Sequence, residues 1–189
     1  MSQLIYEYAV MNSGKTSKLL QKDFDYNRIG QKTLLLKPFL DTRDENMIRS
    51  RNGMEKTCVT IYTDTKLTET ILKSKANVVL IDEAQFLTRN EVLELRNIVN
   101  NNNLTVICFG LKTDFMGMLF DGSKALLEQS DELNENNTFC HCGAKATMNM
   151  KFDSESGKVI KSGNQIDCGK EDKYTSVCNK HWQVDFVQI

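Results

Sequence analysis

Proline is nearly absent from this chain: Pro38 is the sole one among 189 residues. No Pro-rich or other low-complexity tract is present, and no internal repeat, so a long stiff linker or a repeat array is excluded. Charge of one sign is also missing. The formal net charge is −1, which gives no electrostatic reason to expect a nucleic acid or an acidic membrane surface as partner. No apolar run approaches the roughly 18 residues that span a bilayer. No basic segment precedes an apolar stretch near the first residue, so no secretory signal is expected and the location should be cytoplasmic. The length suits one α/β domain with a small appendage.

Alternating strands and helices fill the stretch up to about residue 133. Strands are expected at Gln3–Tyr8, Thr33–Leu36, Thr57–Ile61, Asn77–Ile81 and Leu104–Phe109. Helices are expected from Lys15 towards Gly30, over Lys66–Lys75, after Thr88 and over Ser123–Gln129. Thr88-x-x-Glu91 is a capping box, and Val92, Leu95 and Val99 make the buried stripe behind it. Unbroken apolar strands in β/α alternation predict a mostly parallel sheet covered on both faces.

The first strand runs into Ala9-Val10-Met11-Asn12-Ser13-Gly14-Lys15-Thr16. A strand, a tight loop ending in Gly-Lys-Thr and then a helix is the arrangement that cradles nucleotide phosphates on main-chain N–H groups. Lys15 would reach the β- and γ-phosphates of ATP, and Thr16 would ligate Mg²⁺. Ala9 stands where the pattern has its first glycine, so a left-handed backbone there would be strained. The apolar run Asn77–Ile81 ends in Asp82-Glu83. A carboxylate at the carboxyl end of such a strand lies in the ligand crevice of an open α/β sheet. Asp82 can hold Mg²⁺, and Glu83 is left for proton abstraction.

From about residue 134 the pattern changes. Asn134–Asn137 reads as a polar linker, and Ala146–Phe152 with Lys158–Ile160 reads as a hairpin around Asp153–Gly157. Cys140, Cys142, Cys168 and Cys178 and both histidines, His141 and His181, fall in this part. Such a cluster in a reducing compartment points to a metal rather than to disulfides. Cys178-x-x-His181 has ordinary zinc spacing, and Cys140 with Cys142 would complete four ligands, leaving no open position for catalysis. His141 and Cys168 are alternative ligands. Apolar residues are too few here for an independent core, and a metal would supply the missing stability.

Met11-Asn12-Ser13-Gly14-Lys15, Asp41-Thr42-Arg43, Asp82-Glu83-Ala84-Gln85-Phe86, Gly110-Leu111-x-Thr113-Asp114-Phe115 and Tyr174…Cys178-x-x-His181 occur in that order. Together they resemble the compact, zinc-containing type of thymidine kinase, over nearly the whole chain. The resemblance implies a RecA-like phosphate-loop domain at 1–133 and a zinc-bound β/lasso subdomain at 134–189. It implies phosphoryl transfer from ATP to the 5′-hydroxyl of thymidine, a homotetramer, and feedback inhibition by thymidine triphosphate. By the same resemblance Glu83 takes the hydroxyl proton. ATP is met by residues 9–16, by Asp41, Thr42 and Arg43, and by Asp82, Glu83, Ala84 and Gln85. Phe86, Leu111, Phe115 and Tyr174 wall the base, whose edge is read by the lasso at Gln165, Ile166, Asp167, Cys168 and Gly169. Asn149 departs from the family, where threonine is frequent, beside the expected base pocket. A small phosphate-loop ATPase with a zinc-ribbon docking module is the competing reading.

Overall fold

The computed structural model describes residues 2–39, 46–165 and 172–187. Asp41, Thr42 and Arg43 of the expected phosphate contacts lie outside these residues, as do Ile166, Asp167, Cys168 and Gly169 of the expected lasso.

The chain runs β1 (Leu4–Ala9), α1 (Lys15–Arg28), β2 (Thr33–Pro38), β3 (Met47–Arg49), β4 (Glu55–Thr57), β5 (Val59–Ile61), α2 (Leu67–Ser74) and β6 (Val78–Ile81). A single 3-10 turn, Ala84–Phe86, precedes α3 (Arg89–Asn101), β7 (Thr105–Leu111), α4 (Asp121–Gln129) and β8 (Glu132–Glu135). Then come β9 (Met148–Asp153), β10 (Val159–Ile160), β11 (Asp172–Val177) and α5 (Asn179–Trp182).

Six strands form one sheet in the order β5-β2-β6-β7-β1-β8, and every neighbouring pair is parallel. Strand alternation sorts the core. Leu4, Tyr6, Leu36, Val79, Ile81, Val106 and Cys108 turn to one face, where Leu67 and Ile71 of α2, Val92, Leu95 and Val99 of α3, and Leu126 of α4 cover them. Ile5, Leu35, Val78, Leu80, Ile107 and Phe109 turn to the other, beneath Leu19 and Leu20 of α1 and Ile48 of β3. Both faces are buried, which is why the strands read as continuous apolar runs instead of alternating ones. The Thr88 capping box is present in full, with the hydroxyl accepting from Glu91 N–H and the Glu91 carboxylate accepting from Thr88 N–H.

Two expectations need correction. The strand foreseen at Thr57–Ile61 is divided between β4 and β5 at Cys58, whose N–H donates to the Asn46 carbonyl at 2.9 Å. The linker foreseen at Asn134 starts later. Asn134 and Glu135 pair with Glu7 and Tyr8 of β1 as the edge of the sheet. Main-chain pairing at an edge asks for no apolar side chain, and charge there blunts further pairing, so the segment carries no strand signature.

The expected hairpin forms: β9 pairs antiparallel with β10 and, on its other side, with β11. This second sheet has its own small cluster of Cys140, Ala146, Met150, Val159 and Val177, and Val10 from the end of β1 is buried within it.

Candidate active site

β1 and β6 are parallel and separated by β7, so residues following both strands emerge on one edge of the sheet. The 9–16 loop leaves β1 there, and Asp82 and Glu83 leave β6. Asn12 and Gly14 adopt positive φ of 58° and 78°. Ala9 does not, and it lies within β1, so its methyl group introduces no backbone strain. Lys15 begins α1 and is buried; its Nζ donates to the Val10 carbonyl at 3.1 Å. Thr16 Oγ1 donates to Asp82 Oδ2 at 3.2 Å, which brings the two expected magnesium ligands side by side.

The electrostatics follow from burial. The Lys15 ammonium is held below its usual range by burial, against the raising influence of Glu83 and then Asp82; Arg51 adds to the lowering. The Asp82 carboxyl is pushed up to about 7, first by burial and then by the Glu83 charge. The buried Asp82 carboxyl and Lys15 ammonium, with the half-buried Glu83 beside them, are frustrated alone. A polyphosphate with its divalent cation would relieve both signs at once.

Glu83 has a φ of 49°, a left-handed conformation that costs a non-glycine residue about 1–3 kcal/mol and clusters at functional sites. Its N–H donates to Asp82 Oδ1 at 3.1 Å, and its Oε2 accepts from Gln85 Nε2 at 2.6 Å. Gln85 Oε1 in turn accepts from Leu111 N–H at 2.9 Å. The Leu111 carbonyl accepts from Tyr6 OH at 2.7 Å and from Ser123 Oγ at 2.6 Å. Burial pushes the Tyr6 phenol well above its ordinary value, so it remains a donor. Ala84 is fully buried in the core, and Gln85 sits under Gly110, where a Cβ would lie 2.9 Å from Gln85 Oε1.

Gly122 lets the first turn of α4 press on the 3-10 turn after Glu83. A Cβ there would stand 2.5 Å from the Leu87 carbonyl and 2.8 Å from those of Ala84 and Gln85. Gly122→Ala is therefore expected to destabilise the fold by about 1–3 kcal/mol, the usual cost of overpacking. Urea unfolding of the variant beside the parent measures it.

The aromatic residues separate into two groups. Phe115 and Tyr174 meet edge-on with ring centroids 6.4 Å apart, and Lys151 Nζ lies 5.2 Å from the Phe115 centroid and 5.8 Å from that of Tyr174. Trp182 Nε1 donates to the Phe115 carbonyl at 3.0 Å. Gln165 Nε2 donates to Asp114 Oδ2 at 2.9 Å, and Asp114 Oδ1 accepts from the N–H groups of Met116 and Met118. Phe86 instead stacks edge-on against Phe120 at 5.8 Å. Tyr6, Ser123, Lys151 and Trp182 were missed from the sequence, because an isolated polar or aromatic residue in a strand or helix reads as packing.

Cys140, Cys142, Cys178 and His181 bring one ligand atom each to within 4.8 Å of one another. Cys140 Sγ is 3.3 Å from His181 Nδ1, Cys178 Sγ is 3.4 Å from the same nitrogen, and Cys142 Sγ is 3.9 Å from Cys178 Sγ. A tetrahedron with metal–sulfur bonds of roughly 2.3 Å has edges of about 3.8 Å, so these spacings fit zinc. Burial raises the Cys140 thiol, but the N–H groups of Cys142 and Cys178 and the His181 ring outweigh it and bring the thiol down to about 6. His141 stands outside the four and stacks on His181 with centroids 4.3 Å apart. Cys168 lies outside the described residues.

The family model described as thymidine kinase matches residues 2–182. A thymidine kinase of Zymomonas mobilis is 42% identical over 187 residues, covering 96% of this chain and 96% of that protein. One from Coxiella burnetii is 42% identical over 190 residues, covering 97% and 96%, and one from Photorhabdus laumondii is 41% identical, covering 96% and 92%. Among solved structures, a DNA replication initiation factor aligns with 72% of this chain and 40% of its own, at 13% identity and a TM-score of 0.41. The Pif1 helicase of Candida albicans aligns with 71% and 36%, at 13% and 0.43. This chain thus spans well under half of either protein.

Proposed function

We infer the roles of the site residues from one premise: this chain belongs to the thymidine kinase family, and it is an ATP-dependent enzyme that phosphorylates thymidine. The family match also decides between a nucleoside kinase and a small ATPase in favour of the kinase.

The observation that carries the assignment is the convergence of Lys15, Thr16, Asp82 and Glu83 at the carboxyl ends of β1 and β6. Phosphoryl transfer needs alignment, charge neutralisation and a deprotonated nucleophile more than covalent help. The 9–16 loop binds the ATP phosphates on its main-chain N–H groups, and Lys15 neutralises the β/γ oxygens. Thr16 and Asp82 would hold Mg²⁺, which spreads phosphate charge when bound. Glu83 accepts the proton of the 5′-hydroxyl. The hydrogen bond from Gln85 holds the carboxylate in place, and the Leu111 hydrogen bond holds Gln85. Ala84, expected from sequence to meet ATP, is instead buried in the core, and Gln85 is taken up by Glu83 and Leu111, so both support the site from beneath. Asp41, Thr42 and Arg43 are assigned to ATP from the sequence. Phe86, Leu111, Phe115 and Tyr174 wall the thymine ring, whose flat apolar faces suit aromatic edges. Gln165–Gly169 reads its polar edge.

The nucleotide-binding domain runs through β8 to Glu135, two residues beyond the 1–133 expected from sequence, and the remainder makes a zinc-bound subdomain that closes over the nucleoside. Cys140, Cys142, Cys178 and His181 would hold the zinc, which ties the segment before β9 to α5. Homotetramer assembly, inhibition by thymidine triphosphate and a cytoplasmic location complete the reading. Among the described residues no helix is long and apolar enough to cross a membrane.

ATP turnover measured with thymidine, with deoxycytidine and with no nucleoside tests the acceptor assignment; equal turnover in all three would sink it. For the metal, elemental analysis of protein purified without added metal should find about one zinc per chain. Cys142→Ser should lower that content. Metal-free protein with normal folding and activity would return these thiols to ordinary side chains, and undiminished zinc in Cys142→Ser would bring in His141 or Cys168.

A further inference from the structure

We propose that Asn149 is the positioning residue that sets the phosphate loop against the nucleoside platform. The proposal rests on the site assignment above.

Asn149 is 1% exposed, in the central strand of the second sheet. Its Oδ1 accepts from Met11 N–H, in the phosphate loop, at 2.7 Å. Its Nδ2 donates to the Thr113 carbonyl at 2.7 Å. One planar amide thus joins the donor loop to the segment that leads into Asp114 and Phe115. Two residues along the same strand face, Lys151 lies over Phe115 and Tyr174. Donor loop and acceptor wall are therefore referenced to a single strand.

The loop is fastened to this subdomain twice more. Val10 is buried among Cys140, Ala146, Met150, Val159 and Val177. Asn136 Nδ2 donates to the Ser13 carbonyl at 2.7 Å. The apolar cluster reaches the acceptor side indirectly, through Trp182, which packs against it and donates to the Phe115 carbonyl, whereas Asn149 bonds the loop and the acceptor segment directly. Each segment it joins also carries a buried hydroxyl with no hydrogen-bond partner among the described residues, Ser13 Oγ and Thr113 Oγ1. An unmet buried hydroxyl is costly unless something completes it, as bound substrates on the two sides of the joint would.

The chemistry selects this side chain. An amide offers one acceptor and one donor on separate atoms. A carboxylate could accept from Met11 but would meet the Thr113 carbonyl with oxygen against oxygen. Alanine can do neither. In a reaction that depends on alignment, misplacement by about 1 Å can cost on the order of a hundredfold in rate.

The test compares Asn149→Ala and Asn149→Asp with the parent by steady-state kinetics in both substrates, direct binding of each substrate alone, and amide exchange. In Asn149→Ala we expect kcat to fall about 10- to 100-fold. Binding of ATP alone and of thymidine alone should stay within a few-fold of the parent. Exchange at Met11 N–H should speed by tenfold or more, while amides of β1 paired with β7 are unchanged. Asn149→Asp should lose kcat likewise while Met11 N–H keeps more of its protection. Parental kcat in Asn149→Ala overturns the proposal. So does a lowered Tm with both KM values raised and kcat unchanged, the mark of a merely structural residue. Should either variant fold poorly, the same kcat-against-KM split is read on Asn149→Ser. Lys15→Ala separates this from the site assignment: full activity in Lys15→Ala removes the assignment itself, whereas a dead Lys15→Ala beside a fully active Asn149→Ala removes only the role given to Asn149.

Discussion

Replacing Glu83 by glutamine is expected to lower kcat by a factor on the order of 10² or more, the typical contribution of a positioned general base. The substitution keeps the shape of the side chain. Its remaining oxygen can still accept the 2.6 Å hydrogen bond from Gln85 Nε2, and the strained φ of 49° belongs to the backbone. What disappears is the capacity to take a proton from the 5′-hydroxyl. Binding of ATP and of thymidine should therefore change little, and the loss should fall in kcat and kcat/KM alike. Steady-state rates over a grid of both substrates measure it. Near-parental turnover would remove Glu83 as the base.

Lys15→Ala is expected to reduce kcat/KM for ATP by about 10²–10³, the range seen when one group facing developing charge is deleted. Lys15 is buried beside Asp82 and Glu83, whose charges favour its ammonium form. Without it, the buried Asp82 and half-buried Glu83 would face the incoming phosphates unopposed, so ATP affinity should fall together with kcat. Initial rates at varied ATP and saturating thymidine decide the point. A variant that phosphorylates thymidine as well as the parent would show that the 9–16 loop is not the phosphate site.

Much of the first domain was legible because its signals are local and periodic. Continuous apolar strands, the Thr88 capping box and the Gly14-Lys15-Thr16 ending each encode their own structure within a few residues. The Cys140, Cys142, Cys178 and His181 set was legible for a different reason: metal ligands are few residue types, and both histidines of the chain lie in one segment. The sixth strand was not legible. Glu132–Glu135 is held by main-chain pairing to β1, which leaves no trace in side-chain pattern. Tyr6 was read as part of an apolar strand. Its hydroxyl reaches the Leu111 carbonyl, more than a hundred residues away, and no short-range pattern carries such a contact. Asn149 was visible as an oddity beside the expected base pocket. Its two partners, the Met11 N–H and the Thr113 carbonyl, are main-chain groups far from it in sequence.

By itself the sequence determined the Gly14-Lys15-Thr16 turn between strand and helix, the Asp82-Glu83 pair at a strand end, the residue types of the Cys/His cluster and the alternation that makes a parallel sheet. Those depend on residue type and spacing within a single element, where 2.0 and 3.6 periodicities and the chemistry of capping and ligation act directly. The tertiary structure decided how these pieces meet. Strand order brings Thr16 to Asp82 across β7. Close approach at Gly110 and Gly122 packs Gln85 and α4 against the turn after Glu83. The second sheet, read from sequence as a cover for the nucleoside, also buries Val10 and holds Met11 N–H through Asn149, so it forms a wall of the phosphate loop. Such contacts join groups that are distant along the chain and are fixed by packing and by the need to satisfy buried polar atoms, and neither is encoded in any one segment.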